Sequence, residues 1–171
     1  LIPFIRGRYR SVPMEKVVAQ AAELAAQGVK ELILVAQDTT RYGKDLYGEY
    51  KIVQLLRNLS EIDGIEWLRL LYCYPELLSD ELQTEIANNP KIVKYVDIPL
   101  QHVNDEILRK MNRRSDSQSI ITLFDKLSNL GIAVRSTFIC GFPYETKETV
   151  KQLQEFLIKY RLRNVGFFAY S

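Results

Sequence analysis

Residues 31–36 read Glu-Leu-Ile-Leu-Val-Ala, a short run that is apolar at every position after the first. Its flanks decide how it folds. Upstream, Pro13 to Gln27 places Val17, Ala21, Leu24 and Ala25 on one face at helical spacing. Ser11 stands where it can cap that helix, Pro13 suits its first turn, and Gly28 can take the left-handed conformation that ends it. A capped amphipathic helix, a glycine stop and a continuous apolar strand make half of an α/β unit. Strands apolar on both sides belong in parallel sheets that are covered on both faces.

The unit recurs along the chain. A helix is predicted near Lys51 to Ser60, with Ile52, Leu55, Leu56 and Leu59 inward, then a turn at Asp63-Gly64 and a strand from Glu66 to Tyr72. Ser79 caps a helix carrying Leu82 and Ile86, and a strand follows from Val93 to Ile98. Asn104 caps a short helix with Ile107, Leu108 and Met111. A longer one near Ser117 to Leu130 stops at Gly131. Ile132 to Ile139 is a strand, Thr146 opens a helix with Val150, Leu153, Phe156 and Leu157, and Asn164 to Tyr170 is the last strand. Strands alternating with helices argue for a parallel sheet with right-handed crossovers. Alternation does not give strand order, so a barrel wall and an open doubly wound sheet both fit at this point.

Composition narrows the function. At 171 residues and 47% hydrophobic, the chain reads as one domain over residues 1–171 with a sizeable core. Its 23 basic and 21 acidic residues nearly cancel, which gives nucleic-acid binding no support from bulk charge. Arg6, Arg8 and Arg10 form a local basic arm, read either as a solvated face or as a contact for phosphate or an acidic partner. Cys73 and Cys140 are the only cysteines and lie far apart, so neither a disulfide framework nor a metal motif is indicated, and a cytoplasmic setting is expected. No apolar run is long enough to span a bilayer.

Ligand sites of parallel α/β folds lie at the carboxyl ends of the strands. Those positions hold Gln37-Asp38-Thr39-Thr40, then Tyr72, Tyr74 and Pro75, then Gln101-His102, then Gly141 to Thr146, and finally Tyr170-Ser171. Each has a plainer reading. Gln37 and Asp38 could shape a turn, and His102, the only histidine, could be a hydrogen-bonded structural residue. Glu145 could serve a helix dipole, Gly141 could be present for backbone shape, and Cys140 reads as a small core residue. Arg69 and Arg135 sit within apolar strands and need partners, either a strand-end carboxylate such as Asp38 or Asp97 or a ligand carboxylate. There is no catalytic triad and no glycine-rich phosphate loop.

Four segments go further: IPFIRGRYRSVP (2–13), LVAQDTTRYGKDLY (34–47), DIPLQHVNDEILRKMNRR (97–114) and ICGFPYET (139–146). In content and order they resemble the radical S-adenosylmethionine (SAM) methylthiotransferases. AQDTT and PLQH resemble the branch that modifies an aspartate of a small-subunit ribosomal protein. The branch that modifies a tRNA adenosine carries a GQN-type segment and PVQS at these places. The resemblance implies a partial TIM-like (β/α) barrel. It implies SAM bound to an open iron of a 4Fe–4S cluster, a 5′-deoxyadenosyl radical that abstracts hydrogen from carbon, and a second 4Fe–4S cluster that handles sulfur. A small-subunit ribosomal protein as substrate, an electron donor and a sulfur source follow as partners.

The family's C-x-x-x-C-x-x-C motif would end one residue before the segment aligned with Leu1-Ile2-Pro3, so this chain alone is expected to hold no cluster and to be inactive. Carried over by motif, Gln37 and Asp38 would meet the methionine end of SAM, and Gln101 and His102 the ribose side. Ile139 to Phe142, Gly141 included, would pass main chain along the adenine, with Tyr170 flanking it. Tyr144 stands where the family commonly has glycine, which puts backbone contact in that turn in doubt. The alternatives are a tRNA-modifying member, a non-catalytic α/β interaction module, and a barrel aldolase or isomerase, which would need a lysine or a paired carboxylate at a strand end where none is convincingly placed.

Overall fold

The structure, a computed structural model, describes Ile5 and residues 7–171. The expectations that rest on Leu1–Pro3 and Arg6 fall outside these residues. Five strands build one sheet: β1 (Glu31–Leu34), β2 (Trp67–Leu70), β3 (Ile92–Gln101), β4 (Ala133–Cys140) and β5 (Asn164–Ala169). All neighbours are parallel and their spatial order is their chain order. That is the single winding of a barrel wall, whereas a doubly wound sheet reverses direction at a switch point. The chain is therefore a partial (β/α) barrel, and the open-sheet alternative falls away.

The main helices are α1 (Met14–Ala26), α3 (Ile52–Ser60), α4 (Asp80–Asn88), α5 (Asp105–Lys110), α6 (Ser117–Asn129) and α7 (Lys147–Lys159). A 3₁₀ turn at Thr39–Arg41 and a one-turn helix α2 (Lys44–Tyr47) fold the segment after β1. Several starts follow their capping residues. The side chain of Ser79 accepts the Leu82 N–H, that of Asn104 accepts from Glu106 and Ile107, and Thr146 and Asp116 form capping boxes. Ser11 is a correction: α1 has no side-chain cap. Asp45 of α2 instead accepts both the Ser11 amide and its hydroxyl, at 2.7 and 2.6 Å.

The sheet divides into two faces. Leu68, Leu70, Val96, Ile98 and Phe138 are fully buried against the helices, where Leu56, Leu82, Ile86 and Leu127 meet them. Phe124, Phe156 and Tyr160 lock α6 to α7, with ring centroids 4.7–5.3 Å apart. Because side chains alternate along a strand, the intervening residues point to the other face. That face carries Ile33, Val35 and Phe168, all more than half exposed, and the charged side chains of Arg69, Asp97 and Arg135.

Candidate functional site

The strand exits meet along one rim, and cross-loop hydrogen bonds fix how they meet. After β1, Asp38 is half-buried and accepts the Thr40 hydroxyl, while Thr40 Oγ1 takes the Tyr74 amide at 3.3 Å. Thr39 Oγ1 donates to Leu71 O at 2.6 Å and its amide to Tyr72 O at 3.1 Å. The exits of β1 and β2 are thus stitched together. Tyr9 holds the same corner from the N-terminal side, its hydroxyl donating to Asp38 O at 3.1 Å under the Arg41 guanidinium. Burial pushes the Asp38 carboxyl upward, partly opposed by the Thr40 hydroxyl and by Arg41. Gln37 is exposed beside it.

Three rim residues bear left-handed backbone without being glycine: Tyr72 (φ 56°) after β2, Gln101 (φ 72°) at the end of β3 and Tyr144 (φ 79°) after β4. Such conformations are costly for residues with a Cβ and gather where a site needs a particular side-chain direction. The strain at Tyr72 has visible support, since its amide donates to Asp97 Oδ2 at 3.2 Å and the Cys73 amide to Asp97 O at 2.8 Å. At β3 the register against β4 slips between Ile98 and Gln101, so Gln101 sits on a bulge.

His102 lies beneath the rim and is fully buried. Its Nδ1 accepts the Asn104 amide at 3.0 Å, so in the neutral ring the proton is on Nε2, 3.4 Å from Glu145 Oε1. Burial holds the imidazole below its ordinary pKa, and Glu145 partly offsets this. The other Glu145 oxygen accepts the Gly141 amide. Glu145 thus closes the 141–145 turn while His102 backs it. Within this structure, His102 reaches the rim only through Glu145.

The turn keeps the shape that a glycine would give it, because Tyr144 occupies φ 79° itself, with Lys110 Nζ 3.5 Å from its ring centroid. Gly141 has φ 80° and open space where a Cβ would stand. Phe142 meets Tyr170 edge-on at 5.1 Å, and the Tyr170 amide donates to Cys140 O at 2.9 Å. Ile139 is half-buried beside them. Cys140 is a second correction, because it is exposed while Cys73 is the buried thiol, pushed up to about 12 by burial. Sequence reasoning also missed Arg113, whose Nη2 donates to Pro99 O at 2.8 Å under the Tyr74 ring. Its only signal was a basic residue shortly after a strand-end motif.

The rim and sheet can be compared with known proteins. The model of the radical SAM superfamily matches residues 2–157. The chain belongs to the radical SAM superfamily. A ribosomal protein uS12 methylthiotransferase RimO of Clostridium botulinum is 52% identical over 100% of this chain and 39% of its own length. Its counterpart from Acetivibrio thermocellus is 53% identical, over 99% of this chain and 38% of its own. The chain thus spans about two-fifths of these curated relatives. Among solved radical SAM structures, the methyltransferase TsrM of Kitasatospora setae superposes with TM-score 0.74 at 21% identity, over 95% of this chain and 32% of its own. Coproporphyrinogen III oxidase HemN of Escherichia coli gives 0.66 at 18%, over 92% and 36%. These likenesses support the barrel fold.

Proposed function

We propose that residues 1–171 are the core domain of a radical SAM methylthiotransferase that adds a methylthio group to the β-carbon of an aspartate in ribosomal protein uS12. One observation carries this reading. Relatives named for uS12 match at about half identity from end to end of the chain. AQDTT and PLQH, which distinguish the protein-modifying branch in the resemblance, lie at the exits of β1 and β3.

The rim residues fit SAM. Asp38, half-buried at a stitched corner, suits the cationic methionine end, with Gln37 exposed beside it. Gln101 lies at the exit of β3, where Arg113 donates to Pro99 O. The open space at Gly141 admits a flat group against the 139–142 main chain, and Tyr170 provides its flank. Glu145 takes the Gly141 amide, and the Phe142 amide would be a backbone donor for the adenine. His102 acts as a positioning residue behind Glu145. When bound, SAM supplies the hydrogen-abstracting chemistry. The cluster does not fit this residue set: no group of three or more potential metal ligands exists among the described residues. No step through a cluster is therefore derived for these residues.

An electron donor, a sulfur source and a cytoplasmic setting belong to the same proposal. No helix among the described residues is long and apolar enough to cross a membrane. The test is an anaerobic assay of the full-length, cluster-loaded protein with SAM, reductant and sulfide, offered bacterial uS12 or tRNA and read by mass spectrometry. One methylthio group on a uS12 aspartate is expected. Modification of tRNA alone would replace this reading with the RNA-modifying one.

A further inference from the structure

A band of charge crosses the inner face below the rim, from Glu31 on β1 through Arg69 on β2 and Asp97 on β3 to Arg135 on β4. Its two arginines differ. Arg69 is satisfied, with Nε 2.7 Å from Glu31 Oε1 and its guanidinium 5.2 Å from the Tyr95 ring centroid. Arg135 stands directly across from Asp97 in the ladder, but its Nε is 3.8 Å from Asp97 Oδ1, beyond hydrogen-bond range. The Arg135 side chain is half exposed while that of Asp97 is only 5% exposed. The Tyr95 hydroxyl lies within reach of the Arg135 side chain, and no carboxylate accepts a hydrogen bond from it among the described residues. Asp97 thus orients the guanidinium by charge without consuming its fork, and it stays satisfied itself through the Tyr72 amide.

Toward the rim from Arg135 the sheet carries small side chains. The next inward position on β4 is Thr137, which pairs with Gly166 on β5. A Cβ at Gly166 would meet nothing closer than Thr137 Oγ1 at 3.6 Å. Ile139, on the rim, stands four residues beyond Arg135, or about 13 Å along the strand.

We infer that Arg135, seated on Asp97 beneath the gap left by Gly166, is a carboxylate-binding subsite that receives the acidic side chain of the substrate, the aspartate to be modified. A guanidinium offers two parallel N–H donors that match a carboxylate in bidentate fashion and have no such match with an amide. The inference rests on the reading of the substrate as an aspartate in uS12.

The test uses the full-length, cluster-loaded protein and a labelled uS12 peptide, with either the target aspartate or asparagine in its place. Binding is followed by fluorescence anisotropy, beside turnover and substrate-free SAM cleavage. The unaltered protein is expected to favour the aspartate peptide by about tenfold or more. Arg135→Gln should abolish that preference, Arg135→Lys should keep part of it, and substrate-free SAM cleavage should change little. Because Arg135→Gln leaves Asp97 without a cation, the double variant Asp97→Asn/Arg135→Gln is measured as well, and it too should lack the preference. Gly166→Leu should weaken both peptides alike by filling the gap. Aspartate preference surviving in both Arg135→Gln variants would overturn the subsite while leaving the enzyme reading intact. An unaltered protein that cleaves SAM yet neither binds nor modifies uS12 would overturn the substrate reading, and the subsite with it.

Discussion

The two faces of the sheet come from the same strands and follow different rules. On the helix side, side chains such as Leu68, Val96 and Phe138 exclude water completely. One residue along the same strands from Leu68 and Val96, Arg69 and Asp97 face the other way, with Arg135 beside Asp97 on β4 and the exposed Ile33 and Phe168 on the same face. The first face is built to hold, since burial of apolar area there is the main source of stability. The second is built to receive. It exposes apolar surface next to charge, a combination that marks ligand contact on soluble domains. The difference teaches that alternation along a strand separates stability from function at single-residue spacing.

Substitutions can break or sharpen this contrast. The largest effect is expected from Phe138→Ala on the helix face, a loss of about 3–5 kcal/mol in chemical unfolding. Next is the one place where dryness reaches the rim, the His102–Glu145 clasp. Burial lowers the His102 pKa from its ordinary 6.5, so the folded state binds fewer protons than the unfolded one. Its contribution is fully present above that value and is lost as pH falls below it. The melting temperature should therefore drop with acidification more steeply in the unaltered protein than in His102→Asn.

A smaller effect of opposite sign is expected at Tyr144. Changing it to glycine relieves about 1–2 kcal/mol of left-handed strain and gives up an exposed Lys110–ring contact of about 0.5–1 kcal/mol. The net is a slight gain in melting temperature, with SAM binding retained because the turn keeps its shape. The smallest belongs to Ile33→Ser on the inner face, where stability should change by no more than about 0.5 kcal/mol.

The sequence carried the fold further than the site. Strands and helix caps were legible because they depend on local signals: apolar runs, Ser79, Asn104 and Thr146 at helix starts, and glycine after α1 and α6. Ser11 misled because capping competes with tertiary partners, and Asp45, 34 residues away, took both its donors. Cys140 misled because the last residue of β4 is at the rim, where apolar neighbours in sequence do not mean burial. The turn at Tyr144 could be placed but its backbone could not, because a positive φ on a bulky residue leaves no mark in composition. The partner of Arg135 was open in the sequence among Asp38, Asp97 and a ligand carboxylate, and strand register supplies Asp97. The partnership of Arg69 with Glu31 was not legible, since it depends on strand register. The His102–Glu145 clasp joins two loops 43 residues apart and only the fold brings it together.

The central reading, a barrel whose inner face serves uS12 modification, is tested most directly in the organism that carries the gene. The gene would be deleted and restored, and the intact mass of uS12 measured by mass spectrometry each time. Loss of one methylthio group on deletion, recovered with the unaltered gene and not with Arg135→Gln, is the expected result. A uS12 mass that is unchanged by the deletion would contradict it.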